Sequence, residues 1–250
     1  VPSREKERLL SEHQPNAVRA RLMGPIKAST LPDAVLGGID GCVTTFAVVS
    51  GAFGAGFSPQ VALVLGFANL IADGFSMAVS NYEAGQAKLN QIKFAERTER
   101  KHINAVPEGE REELRQLFQA KGFNGELLEQ VVEAISRNPD VWVATMLREE
   151  YGLSGAGLSP RRAALTTFAA FLSVGALPLL PYAIPGLESQ IQFLTSLGLA
   201  GVVFLGIGML KSIVYGLPAM RSGLRTLIMG TAAAGLAFAT GHFAQRLLGG

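Results

Sequence analysis

At 250 residues the chain has room for one or two soluble domains or one small membrane bundle; only 17% of its residues are charged and mean hydropathy is positive, +0.29, which favours the bundle. A formal net charge of +2 argues against nucleic-acid binding, which needs a concentrated basic face to neutralise several phosphates. The single cysteine, Cys42, excludes an internal disulfide and reads as a small packing residue.

Residues 1–32 form a polar lead-in, VPSREKERLLSEHQ and onward, with no apolar core ahead of a cleavage site, so no cleavable signal peptide is expected. Ser3 is placed to cap a short amphipathic helix reaching Glu12, and Arg19, Arg21 and Lys27 set the N-terminus on the cytoplasmic side. Two apolar segments follow, about Asp33–Phe57 and about Pro59–Gln86, each able to cross a core of roughly 30 Å as a helix. The turn between them carries no charge. Gly37 and Gly41, four apart, give the first segment a small face against which another helix can pack closely.

No helix breaker separates the second segment from the charged stretch that starts at Lys88. One continuous helix is therefore expected to leave the membrane and run to about Asn104. Three further helices follow in a cytoplasmic insert: PEGEREELRQLFQAKGF stopped by Gly122, NGELLEQVVEAISRN capped by Asn124, and DVWVATMLREEYG opened by Pro139. More than half of all charged residues lie between Lys88 and Glu150.

The membrane pattern resumes after Pro160. A third span over Ala163–Ile184 is broken late by Pro178, Pro181 and Pro185; a fourth covers about Ile191–Ile213 and a fifth about Gly223–Leu247. Arg161, Arg162, Lys211, Arg221 and Arg225 mark inside ends, while the two outside turns hold no lysine or arginine. The expected fold is an all-α membrane protein of five transmembrane helices, N-terminus inside and C-terminus outside, with a helical insert between spans two and three. Its domains are 1–32, 33–86, 87–155 and 156–250.

Acidic residues in the spans are the sharpest chemical signal. Asp33 and Asp40 lie on the first; Asn69, Asp73 and Met77, spaced by four, form one stripe on the second. A carboxylate at membrane depth costs several kcal/mol and usually faces a bundle interior or a water path. A hard oxygen beside a thioether suits a transition metal better than sodium or calcium. In the insert, Glu96, Glu99 and His102 share a helix face, as do Glu110 and Glu113, and Met146 and Glu150. Packed together these would gather carboxylates, an imidazole and a thioether around iron(II) or manganese(II). A solvated charged surface is the bland alternative. No glycine-rich phosphate loop with a lysine is present, which argues against ATP drive.

These residues resemble the vacuolar iron transporter family. DAVLGGIDGCVTTFAVVSG, ANLIADGFSMAVSNYEA, the acidic insert, WVATMLREEYGLS and the last three spans carry the resemblance over nearly the whole chain. It implies a dimer of five-span protomers whose second span extends into a three-helix metal-binding domain, moving iron(II), often manganese(II), out of the cytoplasm. Asp40 and Met77 would line the membrane path with Asp33 near its entrance; Glu99, Glu110, Glu113, Met146 and Glu150 would form the cytoplasmic site. Three positions depart from the family pattern. The second acid of its first glutamate pair falls on His102, the second of its paired methionines on Leu147, and a membrane glutamate on Asn69, with Asp73 one turn further along.

The expected function is secondary transport of divalent iron, in exchange for protons, by a chain that is not an enzyme and holds no prosthetic group. The metal ligands are Glu99, His102, Glu110, Glu113, Met146, Glu150, Asp40 and Met77; Asp33, Asp73, Asn69 and Glu96 are path or proton candidates. Manganese, cobalt and zinc are alternative cargo. The partners are divalent ions, protons, the bilayer and a second copy. The location expected is a bacterial plasma membrane, with a vacuolar membrane as alternative. Competing readings are a metal sensor and a di-iron oxidase. The latter would extend Glu99-Arg-Lys-His102, but neither His13 nor His242 supplies a second Glu-x-x-His.

Overall fold

The computed structural model describes residues 3–24, 29–154, 157–216 and 218–248; among them every regular element is a helix. Lys27 and the side chains of Ser3 and Lys211, which entered the expectations above, lie outside the described residues. The helices are α1 (Ser3–Glu12), α2 (Pro15–Met23), α3 (Leu31–Gly54), α4 (Pro59–Ala105), α5 (Pro107–Ala120), α6 (Gly125–Ser136), α7 (Pro139–Glu149), α8 (Pro160–Gly175), α9 (Ser189–Tyr215) and α10 (Ala219–Leu248), with a 3₁₀ segment at Leu177–Ala183. Residue contacts divide the chain into one unit of Ser29–Lys88 with Ser159–Gly250 and another of Val1–Ala28 with Leu89–Leu158. The 47-residue α4 belongs to both.

The first unit is a membrane bundle. Four of its helices, α3, α4, α9 and α10, are long and apolar enough to span, and α8 with the 3₁₀ segment makes a fifth when counted as one bent span. α3 is its axis: Cys42, Phe46 and Val49 are buried against Phe171, Leu179, Phe204 and Ala234 of its neighbours. Gly37 and Gly41 do what their spacing requires. A Cβ at Gly37 would stand 2.2 Å from the Thr167 carbonyl oxygen and one at Gly41 2.5 Å from that of Phe171, so α8 lies directly on the α3 backbone.

The third span is broken late, as the prolines within Ala163–Ile184 led one to expect. α8 stops at Gly175, and the chain bends by 40° into the 3₁₀ turn. Pro178 and Pro181 remove two amide donors, so carbonyls there lose helical partners. Side chains from α9 step in: Ser196 Oγ donates at 2.7 Å to the Pro178 carbonyl, which Pro181 cannot serve, and Gln192 Nε2 donates at 3.2 Å to the Ile184 carbonyl just past the end of the turn. α3 also ends earlier than Phe57, where Gly56 takes a left-handed φ of +68°.

In the second unit the end of α4 packs with α5, α6 and α7 around Ile103, Leu114, Leu128, Val132, Trp142, Val143 and Met146. Ion pairs lace the rim: Arg100 with Asp140 at 2.8 Å, Arg115 with Glu129 at 2.7 Å, and Lys121 with Glu149. Asn124 sits at the start of α6 but does not cap it; its amide turns back to donate to the Gly122 carbonyl at 3.0 Å. The residue that caps is Asn138, whose Oδ1 accepts from the Asp140 and Val141 amides at the start of α7.

Candidate metal centre and ion path

In the second unit the inner face of α4 carries Glu99, 1% exposed, and the first turn of α5 carries Glu110, 3% exposed. The helix N-terminus favours an acid at Glu110. Among the described residues neither Glu99 oxygen has a hydrogen-bond partner, nor has Glu110 Oε2, while Glu110 Oε1 lies 3.5 Å from His102 Nδ1. Burial, reinforced by the neighbouring Glu110 side chain and by the charges of Glu110, Glu150 and Glu113, raises the Glu99 pKa from 4.5 to about 8. Burial and then Glu113 and Glu110 raise that of Glu150 as well, against an opposing effect of His102. These shifts place Glu99, Glu110, Glu113, Glu150 and His102 within electrostatic reach of one another.

Met146 is fully buried one turn before Glu150, in the apolar core. Glu96 is drawn away: its Oε1 pairs at 3.1 Å with Arg100, which also holds Asp140. Among the described residues no three histidine, cysteine, aspartate or glutamate side chains already converge on one point closely enough to hold an ion. The cluster is a set of carboxylates with unmet hydrogen-bonding capacity and mutual repulsion, a condition that a proton or a cation relieves.

In the first unit α3 and α4 run antiparallel across the short turn that joins them and carry facing polar residues. Asp33 Oδ1 accepts from Asn81 Nδ2 at 2.9 Å. Seven residues further along α3, Asp40 stands close enough to Asp73 for their charges to interact. Met77 packs at the edge of the apolar core. Thr44 Oγ1 donates to the Asp40 carbonyl at 2.9 Å, and Asn69 Nδ2 is buried without a partner among the described residues. Asp33, Asp40, Asn69, Asp73 and Met77 are all half-buried. Cys42 is fully buried in the core.

Two residues were missed in the sequence. Asn81 lies four beyond Met77 and continues the 69–73–77 stripe, so the signal was there. Tyr151 follows the end of α7, outside any helical period. Burial and the charges of Glu150, Glu99, Glu110 and Glu113 raise its pKa, which places its phenol beside the acid cluster.

The VIT family model matches residues 31–242. Similar proteins include vacuolar iron transporter 1 of Oryza sativa subsp. japonica, 30% identical over 209 residues, which are 82% of each chain. Vacuolar iron transporter 1 of Arabidopsis thaliana is 31% identical over 71% of this chain and 69% of its own. Vacuolar iron transporter 1 of Tulipa gesneriana is 27% identical over 98% of this chain and 96% of its own. The chain belongs to the VIT family.

Proposed function

We propose that this VIT family member is a secondary transporter that exports divalent iron, and also manganese, from the cytoplasm in exchange for protons. The observation that carries the reading is the row of polar residues facing one another between membrane helices: Asp33 with Asn81, then Asp40 with Asp73, beside Met77. Acids at that depth need a water path or a cation. Oxygen together with thioether sulfur suits iron(II) and manganese(II).

The insert faces the cytoplasm in this reading, and its carboxylates capture the ion. Glu99, Glu110, Glu113 and Glu150 supply oxygen; His102 adds nitrogen when neutral, and Met146 sulfur. Glu99 holds a proton below about pH 8, so capture displaces a proton. Asp33, Asp40, Asp73 and Met77 then pass the ion, with Asn69 at the level beyond them, and the carboxylates carry protons in return. The working unit is a homodimer, with the N-terminus in the cytoplasm. The membrane is a bacterial plasma membrane or a vacuolar one; the names of the plant relatives favour the latter.

The test is Mn²⁺ and Fe²⁺ flux into proteoliposomes with and without a pH gradient. Asp40→Ala abolishes flux while the protein remains folded and of unchanged oligomeric size. Wild-type flux in that variant removes the path.

A further inference from the structure

We infer that Asn81 is a positioning residue for the ion path: its amide holds one oxygen of Asp33 and leaves the other to the passing cation. The inference rests on the proposed transport activity. Asn81 Nδ2 donates to Asp33 Oδ1 at 2.9 Å and to Thr167 Oγ1 at 2.7 Å. A primary amide has two hydrogens, so both are committed and the plane of the amide is fixed. Thr167 is fully buried on α8, and its hydroxyl reaches the Asp33 carbonyl at 3.5 Å. One amide thus ties α3, α4 and α8 together.

The anchor is stiff because α8 touches the α3 backbone at this level, where a Cβ on Gly37 would stand 2.2 Å from the Thr167 carbonyl oxygen. A residue serving only to pack two helices here needs no hydrogen bond to a carboxylate. A lysine or arginine in its place would cancel the charge of Asp33 and repel the cargo. Another acid would set two like charges against each other. A neutral double donor orients the carboxylate without cancelling it. Among the described residues Asp33 then presents one free oxygen, on the same helix face that leads to Asp40 seven residues on.

The measurement is the initial rate of Mn²⁺ flux in proteoliposomes of the full chain, fitted for apparent KM and Vmax. Asn81→Leu, of similar volume, removes both donors and raises KM about tenfold with Vmax within about twofold, the scale of a lost hydrogen bond to a charged group. Thr167→Val keeps the bond to Asp33 but frees the amide's other hydrogen, and raises KM about threefold. Exchanging the pair, Asp33→Asn with Asn81→Asp, preserves charge and restores a donor opposite an acceptor; it brings KM back to within about threefold of wild type, whereas Asn81→Asp alone does not. Asn81→Asp, which keeps the shape, carries the comparison where the leucine variant does not fold. An unchanged KM in the single variants, a fall in Vmax alone, or an exchanged pair no better than Asn81→Asp overturns the inference. A wild type that carries no Mn²⁺ would instead remove the transport activity, a separate outcome.

Discussion

Replacing Glu99 by glutamine should stabilise the metal-free protein and at the same time remove most of its stabilisation by metal. The side chain is 1% exposed, both oxygens lack hydrogen-bond partners among the described residues, and its pKa is raised from 4.5 to about 8. In the unfolded chain the same group titrates near its ordinary value. Between about pH 4.5 and 8 the folded form therefore keeps a proton that the unfolded form has released. Its contribution to stability is fully present below that window and is lost as pH rises through it. At pH 7 the group lies roughly two and a half units above its unfolded pKa, a penalty of about 3 kcal/mol. Glutamine is neutral at every pH and nearly the same shape. Allowing for its own unpaired amide, the gain is about 2 kcal/mol. The assay is built in: Trp142, the only tryptophan, is 3% exposed in the core of this unit. Urea titration of the full chain in detergent, followed by its emission, reports this unit's unfolding. Wild-type stability should fall from pH 5 to pH 8, that of Glu99→Gln should hardly change, and Mn²⁺ should shift the wild-type midpoint far more. A variant less stable than wild type at pH 7.5 without metal would mean that Glu99 is ionised and well partnered, and the reasoning would fail.

The proton on Glu99 also makes metal affinity of the insert depend on pH, rising by up to about tenfold per unit as pH approaches 8, with proton release seen in calorimetry in buffers of different ionisation heat; a flat affinity would contradict it. Gly41→Ala forces a Cβ to 2.5 Å from the Phe171 carbonyl oxygen and should cost about 1–3 kcal/mol in thermal unfolding, while Gly198→Ala, with nothing within 4 Å, should not destabilise. Asp73→Asn should lower Mn²⁺ flux about tenfold or more, and Asn69→Glu in that background should recover part of it, because one helical turn is only about 5.4 Å; unchanged flux in Asp73→Asn would take Asp73 out of the path.

Much of the fold was legible because it depends on local chemistry. The turn at Gly54–Pro59, the unbroken passage from apolar to charged residues at Lys88 and the end near Ala105 yield the long α4 directly. Less legible were features settled by partners distant in sequence. Three prolines foretold a break late in the third span. The 3₁₀ turn itself is held by Ser196 and Gln192, which donate to carbonyls within and just after it, eight or more residues away. Asn124 and Asn138 both precede helices and look equivalent as caps. Only Asn138 folds forward onto amides; the amide of Asn124 is taken by Gly122, whose φ is +95°. The site divides the same way. A three-residue spacing puts Glu96, Glu99 and His102 on one face without ranking them. The ranking comes from Arg100, which claims Glu96 and Asp140 and leaves Glu99 inward.

That division of partners bears on what the acid cluster is for. The insert is rich in cations, and five of them are spent on rim acids: Arg100 on Glu96 and Asp140, Arg111 on Glu108, Arg115 on Glu112 and Glu129, Lys121 on Glu149, Arg137 on Glu133. Exposed pairs of this kind each contribute little, at most about 1 kcal/mol. Among the described residues no lysine or arginine pairs with Glu99, Glu110, Glu113 or Glu150, where a cation would relieve far more. A fold shaped for stability alone would reverse that allocation, and a merely solvated surface would leave Glu99 and Glu110 in water. The insert does neither: it buries two acids, keeps two more beside them, and among the described residues pairs none of the four with a lysine or arginine. Such a site is unfavourable to the chain by itself and becomes favourable when a divalent cation arrives, which is the condition under which binding can be tight in one protonation state and released in another.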